Sequence, residues 1–200
     1  MEGSSSPAAD TDEALMLAYG AGDAGAFDRL YARHKGGVYR YLLRQCRNAG
    51  IADELFQDVW MNAIRVRASY APTAKFSTWL YTLAHHRLVD HWRASGKAKF
   101  TSIDDDDDCA GDTVAALPGA PQEQPEARAQ TTQLGDALRA ALTALPDEQR
   151  EAFLLQYEGG LALAEIAELT GVGSETVKSR LRYATAKLRA ALGGVREEWS

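Results

Sequence analysis

The sequence predicts an all-α protein built as two small helical domains with a flexible acidic linker between them. Three observations lead there. Apolar residues recur at intervals of three and four on both sides of residues 97–132, the period of a helix with one buried face. No alternating strand pattern of useful length occurs, and no internal repeat is visible. The stretch 97–132 holds Pro118, Pro121, Pro125 and the run Asp104 to Asp108 with no sustained apolar period, so it has nothing to bury and reads as a tether.

Taken in order, residues 1–12 are expected to form a flexible N-terminus, and the first domain to run over residues 13–96. Inside it Phe27, Leu30, Tyr31, Val38, Tyr41 and Leu42 repeat at helical spacing, then Leu55, Val59 and Ala63, then Phe76, Trp79, Leu80, Leu83 and Leu88. The second domain is expected over residues 133–193. It opens with Leu134, Ala137, Leu138, Ala141, Leu142 and Leu145 on one helix face. Pro146 is expected at the first position of the next helix, where a missing N–H costs nothing, and Gly159 and Gly160 end that helix. Residues 194–200 form a tail.

Composition excludes several classes. With 46% hydrophobic and 25% charged residues the chain can bury one or two modest cores and is neither fibrous nor disordered. No window approaches the roughly 18 apolar residues of a membrane span. Residues 1–26 contain no Lys or Arg to begin a signal peptide, so a cytoplasmic protein without membrane insertion is expected. Cys46 and Cys109 show no CxxC or Cys/His metal spacing, which leaves free thiols as the reading. The net charge of -6 conceals a partition: residues 27–99 carry 13 Lys/Arg against five Asp/Glu, and residues 100–135 eight acids against one base. From Ser174 to Leu192 there are five bases and one acid. Two basic surfaces with an acidic connector suit contact with a polyanion at two places.

Three constellations carry chemistry. The sharpest runs from Leu161 to Leu181: a short helix holding Ile166 and Ala167 ends at Thr170, Gly171 supplies a left-handed turn residue, and Ser174 can cap a second helix. Val177, Leu181, Ala184 and Leu188 face inward. This is a helix-turn-helix, whose second helix lies in the major groove with its N-terminal residues on base edges. Glu175, Lys178, Ser179, Arg182 and Tyr183 face outward, and Arg180, Lys187 and Arg189 are expected to meet phosphates. The second constellation, Ile51 to Arg65, sets Asp53, Glu54, Gln57, Asp58, Met61 and Asn62 opposite the apolar face. An acidic and amide face in a basic domain can dock a basic protein surface; helix-dipole acids are the plainer alternative. The third, Lys75 to Arg93, interleaves Phe76, Trp79 and Trp92 with Lys75, His85, His86, Arg87, His91 and Arg93. Aromatics beside cations hold unpaired bases, although Phe76 and Trp79 fit the inward face. Binding then falls to the stripe Thr82, His86, Asp90 and Arg93 and to the loop from Tyr70 to Ala74.

Two rival classes fit less well. A metal enzyme on His85, His86, Asp90 and His91 lacks ligands, because adjacent residues diverge by about 100° on a helix. A response regulator or ligand-binding repressor would need a strand-helix alternation or an apolar pocket signature that the first half lacks.

The order of these segments resembles the sigma-70 superfamily, specifically its two-domain members of extracytoplasmic function (ECF), over roughly Glu13 to Leu192. DELFQDVWMNAIR looks like region 2.2, KFSTWLYTLAHHRLVDHWR like regions 2.3 and 2.4, and LPDEQREAFLLQYEGG with the helix-turn-helix like region 4. The resemblance implies a sigma region 2 helical bundle, a region 4 helix-turn-helix and a non-enzymatic protein with no cofactor, no metal and no catalytic residue. Asp53, Glu54, Gln57, Asp58 and Met61 would bind core RNA polymerase, at the clamp helices of its beta and beta-prime subunits. Tyr70, Lys75, Thr82, His85, His86, Arg87, Asp90 and Arg93 would engage the melted minus-ten element, with a base extruded from the stack. Ser174, Glu175, Thr176, Lys178, Ser179, Arg182 and Tyr183 would read the minus-thirty-five element as duplex. The resemblance further implies control by an anti-sigma factor. Where the family commonly has Arg-Asn, this chain has His85-His86 after Leu83-Ala84, which affects the minus-ten preference.

Overall fold

A computed structural model of the chain describes residues 10–96 and 125–197, with side chains over 10–96 and 134–193. Among the described residues every regular element is helical. The first half contains α1 (Asp12–Gly20), α2 (Ala24–Cys46), α3 (Ala49–Val66), a 3-10 turn (Arg67–Ser69) and α4 (Phe76–Ala94). The second contains α5 (Pro125–Thr143), α6 (Asp147–Tyr157), α7 (Leu163–Thr170) and α8 (Ser174–Glu197). Among the described residues no helix is long and apolar enough to cross a membrane. The acidic run Asp104 to Asp108, Cys109 and the terminal segments 1–9 and 198–200 lie outside the described residues.

Side-chain caps set the starts of the first helices. Thr11, Asp23 and Asn48 accept from the N–H groups of Ala14, Ala26 and Ile51 at 3.3, 3.3 and 3.1 Å, each cap contributing about 1 kcal/mol. Lys75, preceding α4, has no acceptor to offer. Glu13 of α1 replaces it, its Oε1 2.7 Å from the Phe76 N–H, so the start of α4 is pinned from the opposite end of the domain.

Three boundaries differ from those expected. Pro146 stands just before α6, with extended backbone (ψ 143°), and its carbonyl accepts from the Arg150 N–H; it is the capping residue, not the first helical one. Ser174 is the first residue of α8, and the Gly173 carbonyl accepts from Val177, so Gly173 takes the capping position. Residues 125–132, read as linker, belong to α5. Pro125 suits a first helical position, and the polar run after it gave periodicity nothing to register.

Buried residues of the first half include Leu30, Val38, Tyr41, Leu42, Leu55, Val59, Phe76, Leu80 and Leu88, most of the periodic positions of the sequence; Phe27, Tyr31, Trp79 and Leu83 are half-buried against them. A smaller cluster of Leu142, Leu145, Ala184 and Leu188 joins α5 to α8. Further buried apolar residues of the second half, among them Leu154, Leu155, Leu161, Ile166, Val177 and Leu181, run on into the first-half core. Tyr81 of α4 is the wedge between the halves. A Cβ at Gly37 of α2 would lie 2.7 Å from its hydroxyl, and a Cβ at Gly159 would lie 3.1 Å from its ring. Glycine inside a helix costs about 0.5–1 kcal/mol against alanine; at Gly37 the close approach explains it.

Candidate nucleic-acid and protein interfaces

α3 turns Ala52, Leu55, Val59 and Ala63 inward, and by helical geometry the intervening residues must face away. Asp53, Glu54, Gln57 and Asp58 are all exposed, and Met61 is 63% exposed. Asn62 is half-buried and accepts from Arg65 at 2.7 Å. Four polar or acidic side chains and a bare thioether thus form one continuous face. Exposed methionine beside carboxylates gives apolar contact and charge at one site, which suits protein docking more than nucleic acid.

α4 and the loop before it divide the expected contact residues into three groups. Lys75, His86, Asp90 and Arg93 are exposed, with Arg93 Nη1 3.9 Å from Asp90 Oδ1. Thr82 and Arg87 are half-buried, and the Thr82 hydroxyl donates to the Thr78 carbonyl at 2.8 Å. Tyr70 and His85 are buried, contrary to the expectation that both meet DNA. Tyr70 packs edge-on against Trp79 and Phe76, with ring centroids 5.1 and 6.2 Å away. Burial, with the charges of Glu13 and Asp12 adding to it, pushes its phenol up to about 12. Its ring anchors the loop that leads into α4. His85 points at the second half, its Nδ1 3.0 Å from Glu151 Oε1 but off the line of a well-aligned hydrogen bond. His85 and His86 diverge along α4, ring centroids 6.2 Å apart. Among the described residues no three His, Cys, Asp or Glu side chains converge as metal ligands.

α7, the Gly171 turn and α8 form the helix-turn-helix. Gly171 has φ 69°, and its N–H and that of Val172 close the turn onto Glu168 and Ala167. Ile166, Ala167, Val177, Leu181, Ala184 and Leu188 are buried as the spacing required. Glu175, Thr176, Lys178, Arg182 and Tyr183 are exposed, Ser179 is half-buried, and the Arg182 guanidinium lies 5.0 Å from the Tyr183 ring centre. Lys178, Arg182 and Arg189 rim an open depression of about 370 Å³ beside Leu163. Arg180 departs from expectation: its Nη2 is 2.6 Å from Glu148 Oε2 of α6, and its side chain is only 16% exposed. It ties α8 to α6 instead of meeting phosphate. Sequence reading missed Arg150 as well, buried at the start of α6 and donating to the Leu145 carbonyl at 3.0 Å; burial lowers its pKa against the opposing pull of Asp147.

A helical pair of modules, one carrying a helix-turn-helix and the other a basic-aromatic helix beside an acidic docking face, defines a DNA-binding protein that also engages another protein. Sigma-70 region 2 matches residues 30–98, and Sigma-70, region 4 matches residues 135–188. The chain is 32% identical over 192 residues to the ECF RNA polymerase sigma factor SigK of Mycolicibacterium vanbaalenii, covering 90% of this chain and 89% of that one. It is 33% identical to SigM of Mycobacterium tuberculosis H37Rv, covering 92% and 85%, and 28% identical to the sigma factor YlaC of Bacillus subtilis, covering 86% and 95%. The chain belongs to the ECF group of sigma-70 RNA polymerase sigma factors, and so is a transcription initiation factor and not an enzyme. Its fold resembles that of CnrH in complex with the cytosolic domain of CnrY, with a TM-score of 0.59 at 21% identity over 92% of this chain and 99% of that one. It also resembles the sigma factor RpoE in complex with the anti-sigma factor NepR from Bartonella quintana, with a TM-score of 0.57 at 19% identity over 84% and 96%.

Proposed function

We propose that this sigma factor binds core RNA polymerase through α3 and recognises promoters through two separate surfaces, as a cytoplasmic protein answering an envelope or environmental signal. Asp53, Glu54, Gln57, Asp58 and Met61 contact the beta and beta-prime subunits. Lys75, Thr82, His86, Arg87, Asp90 and Arg93 face the melted minus-ten element, with Tyr70 shaping the loop beside them. Ser174, Glu175, Thr176, Lys178, Ser179, Arg182 and Tyr183 meet the minus-thirty-five duplex. The working units are region 2 over residues 13–96 and region 4 over residues 133–193, joined by the acidic connector. The observation that carries this reading is the exposed acidic face of α3 in a domain otherwise rich in bases: DNA would avoid it, and a basic protein surface would not. An anti-sigma factor covering the same surfaces would compete by mass action. Run-off transcription with core polymerase over a promoter library tests the reading; specific transcripts dependent on this chain are the expected result, and their absence overturns it.

A further inference from the structure

The loop over residues 71–75, just before α4, has little of its own to hold it. All five residues are exposed, and none of their side chains makes a hydrogen bond among the described residues. Its position comes from its two ends. On the near side Tyr70 is buried, its ring edge-on against Trp79 and Phe76. On the far side α4 begins at Phe76, with N–H groups that no earlier turn can satisfy. Lys75 supplies no acceptor, and the Phe76 N–H donates instead to Glu13 Oε1 at 2.7 Å. A carboxylate at that place also faces the positive end of the α4 dipole. Glu13 is half-buried in the first turn of α1, and that turn is itself held. Arg33 of α2 donates to Asp10 at 2.6 Å and to Asp12 at 2.8 Å. His34 Nε2 lies 2.7 Å from Asp12 Oδ2, with its ring centre 5.2 Å from that of Phe76. Burial first, and then the charges of Glu13 and Asp12, push up the Tyr70 phenol, so both ends of the loop lie in the field of the α1 carboxylates.

We propose that Glu13, which lies outside every surface assigned above to polymerase or promoter, is a positioning residue for promoter opening: by capping α4 from α1 it fixes where the 71–75 loop ends, and so how that loop meets the melted minus-ten element. The last step rests on the proposed assignment of the loop and α4 to that element; the cap itself does not. Chemistry explains why the acceptor comes from elsewhere. Residue 75 stands where a helix normally takes Ser, Thr, Asp or Asn, and here it is a lysine, whose ammonium can meet a phosphate but can accept nothing. Placing the acceptor on α1 lets Lys75 stay cationic toward DNA while the helix behind it stays capped. An uncapped first turn frays. If only a fraction of the chains keeps the loop in its binding geometry, apparent affinity for the melted strand falls by that fraction. The acidic face of α3 and the helix-turn-helix lie on other elements, so their contacts do not pass through this cap.

Three substitutions in the full chain separate capping from folding. Glu13→Ala removes the acceptor, Glu13→Gln keeps an oxygen of the same reach, and Lys75→Ser gives α4 a cap of its own. Amide hydrogen exchange by nuclear magnetic resonance reads the cap without polymerase. The Phe76 N–H is expected to exchange about fivefold faster in Glu13→Ala, as for loss of a typical cap, and near the parent rate in Glu13→Gln, with the amides of Leu80 and Leu88 unchanged. Function is read in the holoenzyme, on a promoter found by run-off transcription, as the permanganate reactivity of thymines around the start site. Glu13→Ala is expected to lower opening about fivefold and Glu13→Gln to restore most of it, while core affinity and binding of the minus-thirty-five duplex stay at parent values. In the Lys75→Ser background, once the loss of the Lys75 cation is divided out, Glu13→Ala should change opening by less than about twofold. Equal losses in the two backgrounds, opening unaltered by Glu13→Ala, or a Phe76 amide that keeps the parent rate overturns the proposal. Should Glu13→Ala lose helix by circular dichroism, adding Lys75→Ser is expected to restore it; failure to do so assigns Glu13 to the stability of α1 and also overturns the proposal. Failure of the sigma-factor reading would appear separately, as the absence of specific transcripts from the parent, and the amide measurement does not consult it.

Discussion

Arg180 and Arg182 are two residues apart and basic, yet the structure gives them opposite duties. Arg180 is held by Glu148 of α6, while Arg182 is exposed over Tyr183. Truncating an exposed base-contacting residue is expected to lose about 1–3 kcal/mol of duplex affinity and to relax preference at one position. Arg182→Ala should do this. Lys187→Ala, at an exposed residue expected to meet phosphate, should weaken all sequences alike and lower the salt slope by about one. Arg180→Ala should instead lower the melting temperature, since the Glu148 carboxylate loses its partner, and leave the salt slope unchanged. Anisotropy titrations at several salt concentrations, with melts of the same proteins, check all three. Helical spacing told outward from inward at Lys178 and Arg182, but it could not reveal that α6 passes beside Arg180, because that contact joins residues 32 positions apart. His85 was illegible for the same reason: its local sequence puts it among cations and aromatics, and its burial arises from α6 arriving from the other domain.

At the scale of the helix, the buried faces and the Gly171 turn were readable because their cause is local, although Pro146 and Ser174 each stand one position from the place in the helix start expected of them. The Gly171 turn and the inward row of α8 follow from residues within a few positions of each other. The cap of α4 does not, because Glu13 supplies it from 63 residues away. α3 is the element on which the functional reading stands. Charge reversal at both Asp53 and Asp58 is expected to weaken assembly with core polymerase at least tenfold, about 1.4 kcal/mol, while circular dichroism stays unchanged because both side chains are exposed. Equal core affinity in a pull-down would defeat the assignment. α7 yields a pH dependence. Burial tends to raise the Glu165 pKa, but hydrogen bonds from the Ala162 N–H and the Thr78 hydroxyl, with the charge of Lys75, hold it below its ordinary 4.5. A carboxylate whose folded pKa is depressed stabilises the fold above its unfolded pKa, and that contribution is lost as pH falls through the folded value. The melting-temperature gap between the parent and Glu165→Gln should therefore be constant from neutral pH to about 5 and close below about 4.5. A gap independent of pH would remove Glu165 from this role.

For the molecule as a whole, the sequence supplied two helical units and the acidic stretch between them, and the seating of one unit on the other came only with the structure. Periodicity marks which face of a helix is buried and is silent on what buries it; Leu154 and Leu155 are inward in any case, and only the fold shows that their cluster continues into the first half. The connector raises a question of reach instead of packing. Residues 97–124 lie outside the described elements, and their composition reads as a spacer. Twenty-eight residues of any chain can span at most on the order of 95 Å. That span allows two modules to reach promoter elements on the order of 80 Å apart; half the length, about 50 Å, would strain against it. Chemistry and length then separate cleanly. Replacing Asp104 to Asp108 with serine keeps the length and is expected to leave abortive and full-length transcript yields unchanged, because a spacer needs no particular side chain. Deleting residues 104–117 is expected to reduce yields from promoters that need both elements, while binding to core polymerase through α3 is unaffected. Loss of transcription in the serine variant would mean instead that the aspartates themselves act, as a polyanion lying in a basic channel of the polymerase, and the spacer reading would fall.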